Sequence, residues 1–169
     1  QDLLNIGSVE ELTVLFADIR NFTLLVQYLQ PPMMRKFLNA FFDCFSSIVF
    51  AGEGMLDKFM GDGALAIFGA PVKIDSPNSA AVSAASQIMR AFENLRAEWK
   101  VNDAVFEQVG LGIGISRGPV YLGNIGSARR LDYTVIGTDV NIAQRLASET
   151  ESGQILITDR VYDANTVNF

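Results

Sequence analysis

Met55-Leu56-Asp57-Lys58-Phe59-Met60-Gly61-Asp62-Gly63-Ala64-Leu65-Ala66-Ile67-Phe68 reads as two apolar runs around a tight turn. Asp-Gly between apolar runs is a strong hairpin signal, so residues 55–60 and 64–68 are expected as paired antiparallel strands. A helical pattern precedes them over residues 33–50. Phe37, Phe41, Phe45 and Ile48 recur at helical spacing there, with Leu38, Phe42 and Val49 beside them. A Phe stripe of this kind is core or a dimer face rather than a cofactor box. Gly52 and Gly54 end that helix, and Gly69-Ala70-Pro71 ends the hairpin. A third helix follows over residues 78–99, with Ala81, Ala85, Ile88, Phe92, Leu95 and Trp99 on one face.

Toward the N-terminus, Leu12-Thr13-Val14-Leu15-Phe16-Ala17 reads as a buried strand with Asp18 at its end. Asn21 or Thr23 then caps a short helix through Gln30, and Pro31-Pro32 separates it from the next. Toward the C-terminus, residues 109–116 form a strand in which Gly110, Gly112 and Gly114 alternate. They precede no helix, so they are not a dinucleotide fingerprint; alternate glycines permit close approach of a helix or a second chain. Arg117-Gly118-Pro119 reads as a turn, residues 120–125 as a strand, and Arg129-Arg130 as a basic loop before a strand over 131–136. Thr138 or Asp139 caps a helix through Ala147; residues 154–158 form a last strand, and Asp159 starts a further helix. Strands separated by helices and joined by hairpins predict an α+β fold. We expect a ferredoxin-like, mixed or antiparallel sheet with helices packed on one face. The 169 residues make one domain, 1–169, with its core over about 12–158.

Composition excludes several chemistries. The chain has no histidine, which removes Ser-His and Cys-His catalysis, histidine general bases and nearly all zinc sites. Its single cysteine, Cys44, allows no internal disulfide. That fits a reducing compartment, and a cytoplasmic location is expected. No apolar run of about 18 residues is present. The net charge of −6 gives no uniform positive field, so nucleic acid is not an expected partner. An acidic domain can still bind a polyanion through metal ions.

Two carboxylates carry the chemistry. Asp18 ends a buried strand just before a helix start at Arg20, Asn21, Phe22 and Thr23, whose free N–H groups can hold phosphate. A carboxylate beside a phosphate cradle repels it unless a cation lies between. From this segment alone, a metal ligand and a capping Asp are equally good readings. Asp62 alone reads as a turn residue. Both, however, end strands that can meet, and paired carboxylates without histidine suit Mg2+ or Mn2+.

The sequence resembles the class III nucleotidyl cyclases, the adenylyl and guanylyl cyclases, closest in its bacterial branch. Phe16-Ala17-Asp18-Ile19-Arg20-Asn21-Phe22-Thr23 resembles their first metal motif, and Asp57-Lys58-Phe59-Met60-Gly61-Asp62-Gly63 their second. Gly112-Ile113-Gly114-Ile115-Ser116-Arg117-Gly118-Pro119-Val120 is similar to their central strand and turn. Asp132-Tyr133-Thr134-Val135-Ile136-Gly137 and Val140-Asn141-Ile142-Ala143-Gln144-Arg145-Leu146 are similar to their purine and transition-state segments.

The resemblance implies an adenylyl cyclase that converts ATP to 3′,5′-cyclic AMP and pyrophosphate. Asp18, Asp62 and the Ile19 carbonyl would hold two Mg2+ per site, with Mn2+ able to substitute. Lys58 and Thr134 would read the purine, Asn141 would orient the ribose, and Arg145 would stabilise charge on the phosphates. Asn141 and Arg145, four apart on a helix, share a face. The resemblance also implies a homodimer with sites at the interface, and regulatory sensor domains outside this chain. The family's triphosphate-gripping Lys falls beyond Phe169, so its C-terminal hairpin is expected to be missing. Lys58 can only donate, which favours adenine N1 over the protonated N1 of guanine. The alternatives are a guanylyl cyclase, or a cyclase-like domain that binds nucleotide without turnover.

Overall fold

Strand β1 (Ser8–Arg20) runs through the middle of the sheet, antiparallel to β3 on one side and β4 on the other. The computed structural model describes residues 7–127 and 130–162. After β1 come α1 (Phe22–Tyr28), α2 (Pro31–Ala51), β2 (Met55–Met60), β3 (Gly63–Phe68) and α3 (Pro77–Lys100). A 3-10 turn (Ala104–Gln108) leads to β4 (Gly110–Ser127), then β5 (Arg130–Ile136), α4 (Thr138–Glu149) and β6 (Gln154–Ile157). The sheet order is β2-β3-β1-β4-β5, and β6 pairs with β4 in parallel. The four strands β2-β3-β1-β4, joined through helices on either side of one hairpin, make the expected ferredoxin-like plan.

Alternation along β1 builds two cores. Leu15, Ala17 and Ile19 meet Phe37, Phe41 and Phe45 of α2 and Ala85, Ile88 and Phe92 of α3. The Phe stripe is thus core: the Phe37 ring lies 4.8 Å from Phe106 and 5.6 Å from Trp99, centroid to centroid. Leu12, Val14 and Phe16 point the other way, onto Val140, Ala143 and Ala147 of α4.

The expectation of helices on one face is therefore corrected. The α+β class holds, but α1–α3 cover one face and α4 covers the other. The reason lies in the alternate glycines of β4. A Cβ on Gly114 would collide with the Ala143 carbonyl and the Ala147 nitrogen, and one on Gly112 with Thr150. Without side chains there, β4 offers a groove into which α4 sinks.

Other boundaries shift as well. Arg117-Gly118-Pro119 is no turn: β4 is continuous, and Pro119 pairs opposite Glu11 of β1. The other edge of β4 pairs with β6 at residues 112–115 and with β5 at 121–127. Pro119 falls between those stretches, where its missing donor is tolerated. Pro31 and Pro32 open α2 instead of preceding it, since Pro fits the first helical turn. Gly137, rather than Thr138 or Asp139, occupies the cap position of α4, and Asn21 precedes α1 without a side-chain cap. Asp159 opens a turn, not a helix. Of the expected basic loop, Arg129 lies outside the described residues and Arg130 begins β5. Among the described residues, no helix is long and apolar enough to cross a membrane.

Gly114→Ala is expected to destabilise the domain by about 1–3 kcal/mol through overpacking, read by urea unfolding. An unchanged midpoint would contradict the seating of α4 on β4.

Candidate active site

Asp18 forms the last pair of the β1–β3 ladder, directly opposite Gly63 on one side and Gly112 on the other. Both cross-strand neighbours lack side chains. At Gly63 a Cβ would come within 2.7 Å of the Phe16 ring. The Asp18 carboxylate consequently has room beside it at the end of a buried strand. Asp62 occupies the tip of the β2–β3 hairpin, after Gly61 at φ 57°, a value that favours glycine. The Ile19 amide donates to the Asp62 carbonyl at 2.9 Å, which ties the hairpin tip to the end of β1. In an extended strand a residue's N–H and C=O point to the same edge, so the Ile19 carbonyl also faces the hairpin.

The two carboxyls come within hydrogen-bonding reach of each other, and this marks the electrostatics. Burial, then the charge of Asp62, pushes the Asp18 carboxyl up from 3.8 to about 6, while the Arg20 guanidinium pulls it down. Arg20 Nη1 lies 3.4 Å from Asp18 Oδ2 and donates to the Ser148 carbonyl of α4 at 2.6 Å. Two half-buried carboxyls and a backbone carbonyl at one sheet end are a hard oxygen donor set with excess negative charge. They fit a divalent cation of the Mg2+ type. Among the described residues, no group of three or more His, Cys, Asp or Glu forms a richer metal cluster.

The other predicted residues lie around this pair. Asn21 sits in the left-handed region at φ 61° and donates its amide to the Gln108 carbonyl at 2.7 Å. That turn swings the chain from β1 into α1. Phe22 packs against the main core, and Thr23 is exposed. Lys58, in β2, extends its ammonium to 3.6 Å from the buried Asp57 carboxylate. Thr134 lies in β5 opposite Gly123. Asn141 and Arg145 stand exposed on α4, and Arg145 Nε donates to Glu149 Oε1 at 3.2 Å. The structure thus brings Asp18, Ile19 and Asp62 together, and puts Asn141 and Arg145 on one helix face. It places Lys58 against Asp57.

Two residues escaped the sequence reading. Arg20 looked like part of a helix start but ends β1 and links Asp18 to α4. Asp57 was hidden inside a motif quoted for its neighbours; its signal was a carboxylate directly before Lys58 in a strand whose other residues are apolar.

A model of the adenylate and guanylate cyclase catalytic domain matches residues 4–169. The chain belongs to that family. The adenylyl cyclase CyaB from P. aeruginosa superposes with a TM-score of 0.87 at 34% identity, over 93% of this chain and 81% of that one. The guanylyl cyclase Cya2 superposes with a TM-score of 0.83, also at 34% identity, over 92% and 78%. An adenylate cyclase of Anabaena cylindrica is 32% identical over 159 residues, which is 92% of this chain but 31% of the relative. An uncharacterised protein of Mycobacterium tuberculosis strain H37Rv is 38% identical over 146 residues, 86% of this chain and 25% of the relative. The cyclase domain thus spans about a third or less of these curated relatives.

The raised Asp18 value sets a pH dependence for the cation-free domain. A carboxyl whose folded pKa lies above its unfolded one adds stability that is complete below about 3.8 and is lost as pH rises through about 6. In chelator, the melting-temperature difference between wild type and Asp18→Asn should therefore move in favour of Asn as pH rises through that window. Added Mg2+ near neutral pH should raise the wild-type midpoint and leave Asp18→Asn nearly unmoved. A difference that stays flat with pH would contradict the crowding of the two carboxyls.

Proposed function

We propose that this domain is an adenylyl cyclase, converting ATP to 3′,5′-cyclic AMP and pyrophosphate as a homodimer. The observation that carries the reading is the meeting of Asp18 and Asp62 at one sheet end, crowded enough to raise the Asp18 pKa. On this reading Asp18, Asp62 and the Ile19 carbonyl hold two Mg2+ against the triphosphate. Bound there, the cations would acidify the ribose 3′-hydroxyl and neutralise the phosphates during its attack on the α-phosphorus. Asn21, Phe22 and Thr23, at the turn after β1, border the phosphate side. Asn141 orients the ribose, and Arg145 donates to charge that grows on the transferring phosphoryl group. The chain has no histidine, so the hydroxyl proton leaves to solvent or to the substrate's own phosphate.

Lys58 donates to adenine N1, and the Thr134 hydroxyl accepts from the adenine amine. This favours ATP. The guanylyl reading keeps its place beside it, since CyaB and Cya2 are equally identical to this chain.

The exposure of α4 supports shared sites. The Arg145 side chain is 80% exposed, and among the described residues its carboxylate contact is an i,i+4 pair on its own helix. Asn141 lies seven residues before Ser148, about 10 Å along the helix axis from the end that Arg20 holds. Residues so placed need a second surface to enclose a substrate, and a second copy of the chain would supply it.

Cyclic AMP and cyclic GMP formation should be measured against protein concentration, with ATP or GTP and with Mg2+ or Mn2+. We expect cyclic AMP as the main product and a specific activity that rises with concentration. Asp18→Ala, Asp62→Ala or Arg145→Ala should each lower the rate by about 10²-fold or more. Mixing Asp62→Ala chains with Lys58→Ala chains should restore part of it. Predominant cyclic GMP would assign the guanylyl activity. Folded protein giving no cyclic product with either cation would leave a nucleotide-binding domain without turnover.

A further inference from the structure

Strand β2 contains a β-bulge. Leu56 pairs with Ala66, but the next pair is Lys58 with Leu65, so Asp57 is the extra residue. A bulge re-aims the side chains that follow it. Leu56 packs into the core beneath α2 and α3. Simple alternation would send residue 57 to the α4 face and residue 58 back beneath α2. Instead Lys58 shares the face of Leu65, which belongs to the α4-side core, and Phe59 turns beneath α2. The Phe59 ring stacks on Phe42 of α2 at 4.1 Å and 16°, which locks this arrangement.

The bulge also keeps Asp57 next to Lys58 rather than across the sheet from it. The Asp57 side chain is only 2% exposed, while that of Lys58 is 42% exposed, and the ammonium and carboxylate are 3.6 Å apart. Asp57 Oδ2 is buried and has no hydrogen-bond partner within ordinary reach among the described residues. Burial pushes the Asp57 carboxyl up, and the Lys58 ammonium opposes that. A buried acceptor without a donor is unfavourable unless something else requires it there. What faces it is the ammonium of Lys58, a flexible cation with three donors.

We propose that Asp57 is the positioning residue for Lys58: its buried carboxylate draws the ammonium back against β2 and leaves the outer N–H donors aimed at the purine edge. This rests on the reading of Lys58 as the purine contact. Lys58 alone is a long, mobile stem that could serve adenine N1 or guanine O6. Anchored at its base, it presents donors from one place, and an acceptor at the matching position gains most. Asp57 therefore acts on base choice and on nucleotide affinity. Asp18 and Asp62, which hold the reacting end, are left untouched.

The test is a kinetic cycle on the whole chain with Asp57→Asn, Lys58→Ala and the double variant, measuring kcat and KM for ATP and for GTP. Asn preserves shape and removes the charge. We expect Asp57→Asn to raise KM for ATP about fivefold to tenfold, with kcat changed much less, and to move the ATP:GTP ratio of kcat/KM toward that of Lys58→Ala. The double variant should add little to Lys58→Ala. Asp57→Glu should retain part of the preference. The preference is a ratio, so it is readable on whatever fraction of a variant folds. If Lys58→Ala shifts the preference and Asp57→Asn does not, the proposal is overturned while the purine reading stands. Effects of the two substitutions that add in full overturn it too. If Lys58→Ala leaves the preference unchanged, the purine reading fails and the proposal fails with it.

Discussion

Two like charges meet at one end of the sheet, and the fold is arranged to hold them there. Asp18 and Asp62 are 44 positions apart in the chain. They meet because β1 and β3 pair in a single register, with Asp18 opposite Gly63 and the Ile19 amide bonded to the Asp62 carbonyl. A slip of one residue would turn every β1 side chain to the wrong face. Slippage is blocked from both sides. Leu15, Ala17 and Ile19 are locked beneath α2 and α3, and Leu12, Val14 and Phe16 beneath α4. The apolar cores stabilise the chain; the carboxylate pair does not. It is a local electrostatic strain of the kind found where a ligand is to be bound.

Helix α4 is fixed at both ends but left open along its outer face. Near its start, the Asp139 carboxylate accepts from the Ser116 hydroxyl at 2.5 Å, above a glycine at 118 that leaves room for it. Near its end, Arg20 donates to the Ser148 carbonyl, and the buried Thr150 hydroxyl bonds the Ala147 carbonyl. Its inner face, Val140, Ala143 and Ala147, is packed on the sheet. Asn141 and Arg145 then stand on the exposed outer face, with Arg145 paired to Glu149 of the same helix. On the proposed reading, such a helix orders polar groups for a ligand without enclosing it.

Much of this was legible in the residues. The Asp-Gly hairpin, the Phe stripe and the alternating glycines each announced a local constraint, and each is present. Where expectation failed, the deciding contact was distant in sequence. Periodicity shows that residues 138–147 have an apolar face, but not which side of the sheet receives it. Pro119 looked like a turn residue because propensity is local; pairing with β1 overrode it. Asn21 looked like a cap, yet its side chain is taken by the Gln108 carbonyl from another part of the chain. The bulge at Asp57 was invisible to a period-2 pattern, since it appears only once Leu65 and Ala66 are set opposite. At the site, the resemblance pointed to Asp18 and Asp62, whereas the linking role of Arg20 needed α4 in place.

The β2–β3 hairpin carries two demands within five residues. Its tip must keep Asp62 against β1, and its strand must present Lys58 on the α4 face. In a regular strand these demands would be coupled by the pleat, because any change of face at position 58 would propagate to the tip. The bulge separates them. Downstream of it, Phe59 on Phe42 and Met60 against the α4-side core restore the alternation that delivers Asp62 to the end of β1. Upstream, Asp57 and Lys58 form a unit of their own at the sheet edge. On the proposed reading, purine choice can change at this edge while the carboxylate pair stays where it is. On that same reading, the equal sequence identity of this chain to an adenylyl and a guanylyl cyclase is what such a separation allows: one scaffold for the reacting phosphate, and a nearby strand edge on which the base would be chosen.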